Sequence, residues 1–476
     1  PNGAQIHSIH MAATLRDKHG CDITTIACGD GPLARNFEVY GPLISLSRGH
    51  TRDREARAVA ARLKQEGYEY AILNSSAGGW MTPFLAEAGI ACLGLVHEMP
   101  DIIKRMELAQ DVAAFDEHAL AVVFASNIVR HRTEAEILGR AWRAPHILPQ
   151  GHYKAESVAS LSEKQKAAAE IRQRFGLPGD AVIIIGVGHG DHRKGVDIFC
   201  EWAVAAASRD PRLHFIWVGD IREDMQASCN GILERAGESA ANFHLAGFQT
   251  ATGTFYRAAS AYALASREDP YPTTVLEALA CGTPAFIVAG TTGLEEIKTQ
   301  AIRVLPDAAP ATFTGALDAL LASQQDWESA ALAGIELIRA RYGFTSFTGD
   351  LLRLAGVERP RVSVVLPNYN YARYLPQRIS SLLSQEHKVW EIIFLDDAST
   401  DNSVEVAEAL LRDCGIHYRI VVNETNSGSV FAQWKKGVDL ARGDVVWIAE
   451  ADDWAGTAFT RTATAAFSDP DVVLSY

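Results

Sequence analysis

The stretch Ala181-Val-Ile-Ile-Ile-Gly186-Val-Gly188-His-Gly190-Asp-His-Arg193-Lys194-Gly195-Val196 decides the fold. Its apolar, β-branched run reads as a buried strand that gives way to a glycine loop, two adjacent cations and a helix. The helix carries Val196, Phe199, Cys200, Ala203, Val204 and Ala207 at i, i+3, i+4 and i+7 spacing. His214-Phe-Ile-Trp-Val218 follows as the next strand. Upstream, Ser162-Glu-Lys-Gln165 is a capping-box pattern, opening a helix that stops at Gly176 with Pro178 just beyond. Strands alternating with helices in this way build α/β architecture on parallel sheets.

Working outward, the same rhythm runs to about residue 304, and helices over 310–354 close this unit. Toward the N-terminus it is weaker, with strands expected at 70–73, 91–96 and 120–124 and a crossover around 145–149. Gly356-Val-Glu-Arg-Pro360 reads as a polar linker. Beyond it, strands are expected at 362–366, 391–395 and 444–448, and Val472-Val-Leu474 is strand-like. The expected domains are 1–150, 151–355 and 361–476.

The chain has 476 residues, about three domains at roughly 150 residues each. With 48% apolar and 21% charged residues it has the composition of a globular protein. A net charge of −14 argues against a nucleic acid partner unless a local basic patch overrides it. No apolar run approaches the ~20 residues of a membrane span. Cys21, Cys28, Cys92, Cys200, Cys229, Cys281 and Cys414 are scattered and form no C-x-x-C pair, which disfavours a disulfide framework or a thiolate metal site and suits a reducing cytoplasm.

Three features between residues 186 and 284 point to one ligand, the third being the Gly-capped helix end Cys281-Gly282-Thr-Pro284, which fixes the phase of Glu277. The Gly186–Gly195 loop lets the backbone approach a phosphate while Arg193, Lys194 and the helix N-terminus offset its charge. A plain βα turn with solvated cations is the alternative. In Asp269-Pro-Tyr-Pro-Thr273-Thr274-Val-Leu-Glu277, two carboxylates eight residues apart are suited to gripping hydroxyls at two ends of a ligand, with the Thr273 and Thr274 amides between them. Capping explains Glu277 equally well, because Thr274-x-x-Glu277 is a capping box, and Asp269 before Pro is a turn former.

Ser266-Arg-Glu-Asp-Pro-Tyr-Pro-Thr-Thr-Val-Leu-Glu-Ala-Leu-Ala-Cys-Gly-Thr-Pro284 resembles the E-x7-E signature of family 4 retaining glycosyltransferases of the GT-B fold, which have two Rossmann-like domains. The resemblance implies that Arg193 and Lys194 bind the donor diphosphate, that Asp269 holds the transferred sugar and that Glu277 holds the ribose. Asp stands where the family has Glu, which makes Glu268 the alternative sugar contact. Leu95-Val-His97-Glu98 is similar to the family's histidine position over the donor sugar, beside the reading of His97 as a capped strand-end histidine. Pro1-Asn-Gly3-Ala4 looks like the glycine loop after the family's first strand, making Gly3 a substrate-contact candidate. The resemblance implies retention of anomeric configuration, so no protein nucleophile is nominated, and no metal is required where protein cations stabilise the leaving diphosphate.

In the third unit, Asp396-Asp397 and Glu450-Ala-Asp452-Asp453 each follow a strand, where α/β sheets place ligands. Asp452 and Asp453 suit a hard divalent cation, and Asp396 and Asp397 suit a base and ribose. Turn-forming or capping Asp is the alternative for any one of them. The unit resembles the opening half of a family 2 inverting glycosyltransferase of the GT-A fold, which implies Mn or Mg dependence. Its acceptor half and general base are expected beyond residue 476. Together the resemblances imply a fused protein moving sugar from a nucleotide-sugar donor to a glycan or lipid-linked acceptor in polysaccharide or cell-surface glycan synthesis, in the cytoplasm or peripherally at the inner membrane face. A dinucleotide oxidoreductase is disfavoured because Asp191 breaks G-x-G-x-x-G. A non-catalytic nucleotide-sugar scaffold and a GT-B epimerase stay open.

Overall fold

The computed structural model describes residues 3–28, 33–46, 51–154, 161–357, 360–385, 387–412, 414–468 and 471–475. The chain divides into two compact units, Arg57–Tyr342 and Pro1–Ala56 with Gly343–Tyr476. The short strands β1 (Thr25–Ala27) and β2 (Leu43–Ser45) pair in parallel.

Unit Arg57–Tyr342 holds two parallel sheets. The first is β3 (Tyr70–Asn74), β4 (Ala91–Val96), β5 (Ala121–Phe124) and β6 (Pro145–Ile147), paired in that order. The second comprises β7 (Val182–Val187), β8 (Leu213–Val218), β9 (Phe243–Gly247), β10 (Ala261–Ala263), β11 (Ala285–Val288) and β12 (Ile302–Leu305), in the order β12-β11-β10-β7-β8-β9. β7 and β8 are apolar on both sides because both faces are covered. Ile183, Ile185 and Ile216 enter one core, while Ile184, Phe215 and Trp217 enter the other. The direction of winding reverses between β7 and β10, which pair Ile184 with Ala261. This reversal leaves a crevice at the strands' C-terminal ends.

The second unit carries β13 (Val362–Asn368), β14 (Glu391–Asp396), β15 (His417–Val422) and β16 (Val445–Ile448), all parallel, in the order β15-β14-β13-β16. Val364 and Phe394 face one core and Val365 and Ile393 the other. Its winding reverses between β13 and β16.

The α/β class and the parallel sheets are those expected from the sequence. Three details differ. Residues 145–147 form a sheet strand, not only a crossover, because they pair with β5. Helix Val196–Ala207 buries Trp202 and Ala206 while Val204 is only half-buried. Trp202 stacks on Phe313 with ring centroids 4.4 Å apart, so a second helix covers a face the single stripe had left outward. Residues 472–474 form no strand, and Val473 and Leu474 are exposed.

Candidate functional site

The loop after β7 and the loop after β10 meet at the crevice between those strands. Gly195 adopts φ +66°, and a Cβ there would lie 2.0 Å from the Ala265 carbonyl oxygen, so only glycine brings the two loops this close. Asp191 Oδ1 accepts from the Lys194 amide at 2.8 Å, and the Arg193 carbonyl accepts from the Arg267 amide at 2.8 Å. Arg267 grips Asp197 with two hydrogen bonds, of 2.9 and 2.7 Å, pinning the β10 loop to the helix after β7.

Lys194 Nζ thereby lies 2.5 Å from Asp269 Oδ2, and Arg193 Nη1 lies 3.8 Å from the same oxygen. Arg193 also donates to the Glu268 carbonyl at 3.0 Å. Glu268 is buried and its carboxylate meets Arg132 at 2.9 Å. Burial, then the charge of Asp101, pushes the Glu268 carboxyl up, against the opposing pull of Arg132 and Arg193. Arg132, on helix Asn127–Thr133, is 136 residues away in sequence, which left it unread.

Glu277 is paired with a cation other than Arg193 or Lys194. It sits in helix Thr273–Ala280, and Lys154 Nζ holds its Oε2 at 2.8 Å. The capping-box alternative is not realised: Pro272 is the N-cap, and the Thr274 hydroxyl accepts from Tyr262 at 2.8 Å inside the helix. Thr273 and Thr274 occupy the first two helical positions, among the amides that point beyond a helix start. At the other end, Gly282 at φ +62° closes the helix. Buried Lys164 donates to the Cys281 carbonyl at 3.1 Å and to Thr283 Oγ1 at 2.8 Å, and burial pushes its ammonium down to about 7.

His97 follows β4. Its Nε2 donates to Asn74 Oδ1 at 2.5 Å and its Nδ1 accepts from Gln150 Nε2. Burial pushes the imidazole down to about 4, so the ring is neutral at pH 7. Glu98 turns back to accept from Ser75 Oγ at 2.6 Å and from the Ser76 and His97 amides. Gly3 opens helix Gly3–Asp17, in the other unit, and Pro1 and Asn2 lie outside the described residues.

The second unit gathers acids. The Asp396 carboxylate accepts from Asn368 Nδ2 at 2.9 Å, Ser399 Oγ at 2.7 Å and the Ser399 amide at 2.8 Å. Asp397 accepts from Asn423, Gln433 and both the amide and hydroxyl of Ser427. Against the upward push of burial, the Ser427 and Asn423 hydrogen bonds hold the Asp397 carboxyl below the usual range. After β16, Asp452 and Asp453 are exposed, whereas Glu450 accepts from Trp434 Nε1 at 2.6 Å. Burial, and then the charges of Asp452 and Asp453, push Glu450 up. Arg378, only 2% exposed, has unpartnered Nε and Nη1 and feels the charges of Asp453, Glu450 and Asp452; burial pushes its guanidinium down. Sequence reading missed it, since it sits in an amphipathic helix with no local motif. Among the described residues, no three His, Cys, Asp or Glu side chains converge as a ligand set. No helix among them is long and apolar enough to cross a membrane.

Comparison with known proteins follows the same division. Residues 167–334 match the family described as Glycosyl transferases group 1, and residues 363–475 match Glycosyl transferase family 2. A Nostoc glycosyltransferase is 38% identical over 114 residues, 24% of this chain and 34% of that protein. Glycosyltransferase GlyG of Streptococcus pneumoniae is 34% identical over 93 residues, 19% of this chain and 30% of its own. The chain thus spans about a third of the length of these curated relatives. Among solved structures, Anabaena HepE in complex with UDP aligns over 75% of this chain and 97% of its own, with TM-score 0.64 and 15% identity, which shows the shared fold. Sucrose-phosphate synthase of Thermosynechococcus elongatus aligns over 74% and 92%, with TM-score 0.58 and 19% identity.

Proposed function

From a chain that joins a glycosyl transferases group 1 module to a glycosyl transferase family 2 module, we propose a glycosyltransferase that moves sugar from a nucleotide-sugar donor to a glycan or lipid-linked acceptor, with retention at the first site. The observation that carries this reading is the Lys194–Asp269–Arg193 cluster at the β7/β10 crevice. Relatives crystallised with UDP and with UDP-glucose support the donor class. The module boundaries near residues 150 and 355 belong to the same proposal.

Breaking a sugar–phosphate bond builds negative charge on the departing diphosphate. Arg193 and Lys194 stabilise that charge together with the Thr273 and Thr274 amides, and a crevice shielded from water strengthens each interaction. Asp269, with Glu268 beside it, accepts hydrogen bonds from the sugar hydroxyls. Glu277 accepts from the ribose. Neutral His97 presents a ring whose orientation Asn74 and Gln150 fix. Lys194 must exchange Asp269 for phosphate as the donor enters, and a cation 2.5 Å from its carboxylate is placed to make that exchange with little motion.

At the second site, Asp396 and Asp397 would flank the nucleotide, and Asp452 and Asp453 would hold Mn or Mg. Two exposed adjacent carboxylates are the hard, partial ligand set that such ions complete with water and phosphate oxygens. The ion would supply positive charge to the diphosphate. Seven free cysteines suit a reducing cytoplasm.

The test is a panel of nucleotide sugars offered with and without EDTA, with product anomers read by NMR. Chelator-resistant transfer or donor hydrolysis that Lys194→Ala abolishes supports the reading. Binding without turnover under every acceptor condition would leave a nucleotide-sugar scaffold in its place.

A further inference from the structure

Residues 150–154 form a strap between the two sheets of the unit Arg57–Tyr342, and three of its side chains reach candidate donor-binding elements. Gln150 donates to His97 Nδ1. The His152 amide anchors the strap on the Tyr342 carbonyl at 2.7 Å. The Tyr153 phenol bonds Thr273 at the start of the helix that carries Glu277. Lys154 Nζ reaches Glu277 Oε2 at 2.8 Å and Thr252 Oγ1 at 3.4 Å.

The Glu277 side chain is only 5% exposed. A buried carboxylate stays ionised only with a compensating partner. Among the described residues, phenols face it as well, Tyr153 of the strap, Tyr256 of helix Gly253–Ala258 and Tyr262 of β10, and each has its own ionisation pushed up by burial first and by Glu277 as well. Cys281, at the helix end, faces Tyr256. Lys154 is the cation that the structure sets against this group. An ionised carboxylate accepts two hydroxyls of a ribose, whereas a protonated one offers a poorer acceptor and a competing donor.

We propose that Lys154 is a positioning residue for nucleotide binding, holding Glu277 ionised and aimed while the strap links it to His97. This rests on Glu277 being the ribose contact. Lys154→Met and Lys154→Gln remove the cation, Lys154→Arg keeps it, and Glu277→Gln removes the acceptor charge itself. UDP, ADP and GDP are titrated by calorimetry into each full-length variant between pH 6 and pH 9. Ratios of dissociation constants to the parent protein cancel the titration of the phosphate.

The expected result for Lys154→Met is about tenfold weaker binding at the acid end, recovering as pH rises and Glu277 loses its proton. Lys154→Arg is expected to bind within about threefold of the parent, since a charge-assisted bond is preserved. Glu277→Gln is expected to bind weakly at every pH, with no slope. Should Lys154→Met not fold, Lys154→Gln answers the same question. A ratio of one, or a loss that is flat with pH, overturns the proposal while leaving Glu277 in place. Unimpaired binding by Glu277→Gln instead removes the ribose assignment on which the proposal stands.

Discussion

The two crevices are built on the same topological device and carry opposite charge economies. Where β7 meets β10, the three acids nominated for ligand binding each meet a cation: Lys194 on Asp269, Arg132 on Glu268 and Lys154 on Glu277. Around β13 and β16, Asp396 and Asp397 are satisfied by neutral donors, Glu450 by an indole, and Asp452 and Asp453 stand exposed. Lys436 acts on Asp397 by its charge alone, and buried Arg378 feels the charges of Asp453, Glu450 and Asp452. The first crevice therefore sets protein cations where a diphosphate is proposed to bind, while the second presents negative charge that a polyanion would tolerate only with a counter-ion. Electrostatics, more than fold, distinguishes the two sites.

The sharpest way to break this contrast is at Lys194 and Asp269. Lys194→Ala removes the charge proposed to meet the departing diphosphate and is expected to lower kcat by about 10²–10³-fold, with EDTA leaving the parent's first-site rate unchanged. Asp269→Asn keeps the shape but loses the carboxylate; it is expected to depress kcat/KM by about tenfold or more. A rate in Lys194→Ala within twofold of the parent would mean that the cation serves only the fold.

The second crevice is tested with manganese alone. Asp453→Ala is expected to weaken Mn²⁺ binding, read by calorimetry or EPR, by about tenfold or more, since one of the two proposed carboxylate ligands is lost. Lys194→Ala should leave that affinity unchanged. Equal loss in both variants would erase the distinction between the sites.

His97 gives a pH-dependent comparison. Its folded ionisation lies near 4 against 6.5 in the unfolded chain, so the unfolded state binds the extra proton more readily between those values. Stability is full above about pH 6.5 and falls as pH drops toward 4. Chemical unfolding at pH 7 and pH 5 is expected to differ by about 2 kcal/mol more in the parent than in His97→Gln. An identical pH dependence in the two proteins would show that the ring is solvated.

How much of this was legible varies with the physics of each element. β7, β8 and β13 announced themselves because burial on both faces leaves a continuous β-branched run. β6 did not, since a three-residue strand containing Pro145 carries little pattern; nor did β15, whose residues are half-buried or exposed. Residues 472–474 show the converse, an apolar triplet with no partner strand. At the first site, Arg193, Lys194 and Asp269 were readable because loops after adjacent strands converge. Lys154 and Arg132 were not, because pairing across 123 and 136 residues leaves no local signature.

The smallest expected effect concerns Arg378, and it separates two roles for the cation behind the acidic turn. Its Nε and Nη1 are buried without partners, and its ring contact is Trp447, 5.2 Å from the guanidinium carbon. A buried charge held this way costs stability, and an apolar side chain of similar length removes that cost. Arg378→Met is therefore expected to raise the unfolding free energy by about 1 kcal/mol. It is also expected to tighten Mn²⁺ a few-fold, because one positive charge leaves the neighbourhood of Asp452 and Asp453. If the guanidinium instead reached the diphosphate, the same variant would bind nucleotide more weakly in the presence of Mn²⁺. Tighter metal with unchanged nucleotide assigns Arg378 to tuning the acids; weaker nucleotide makes it a ligand and brings the charge pattern of the second crevice closer to that of the first.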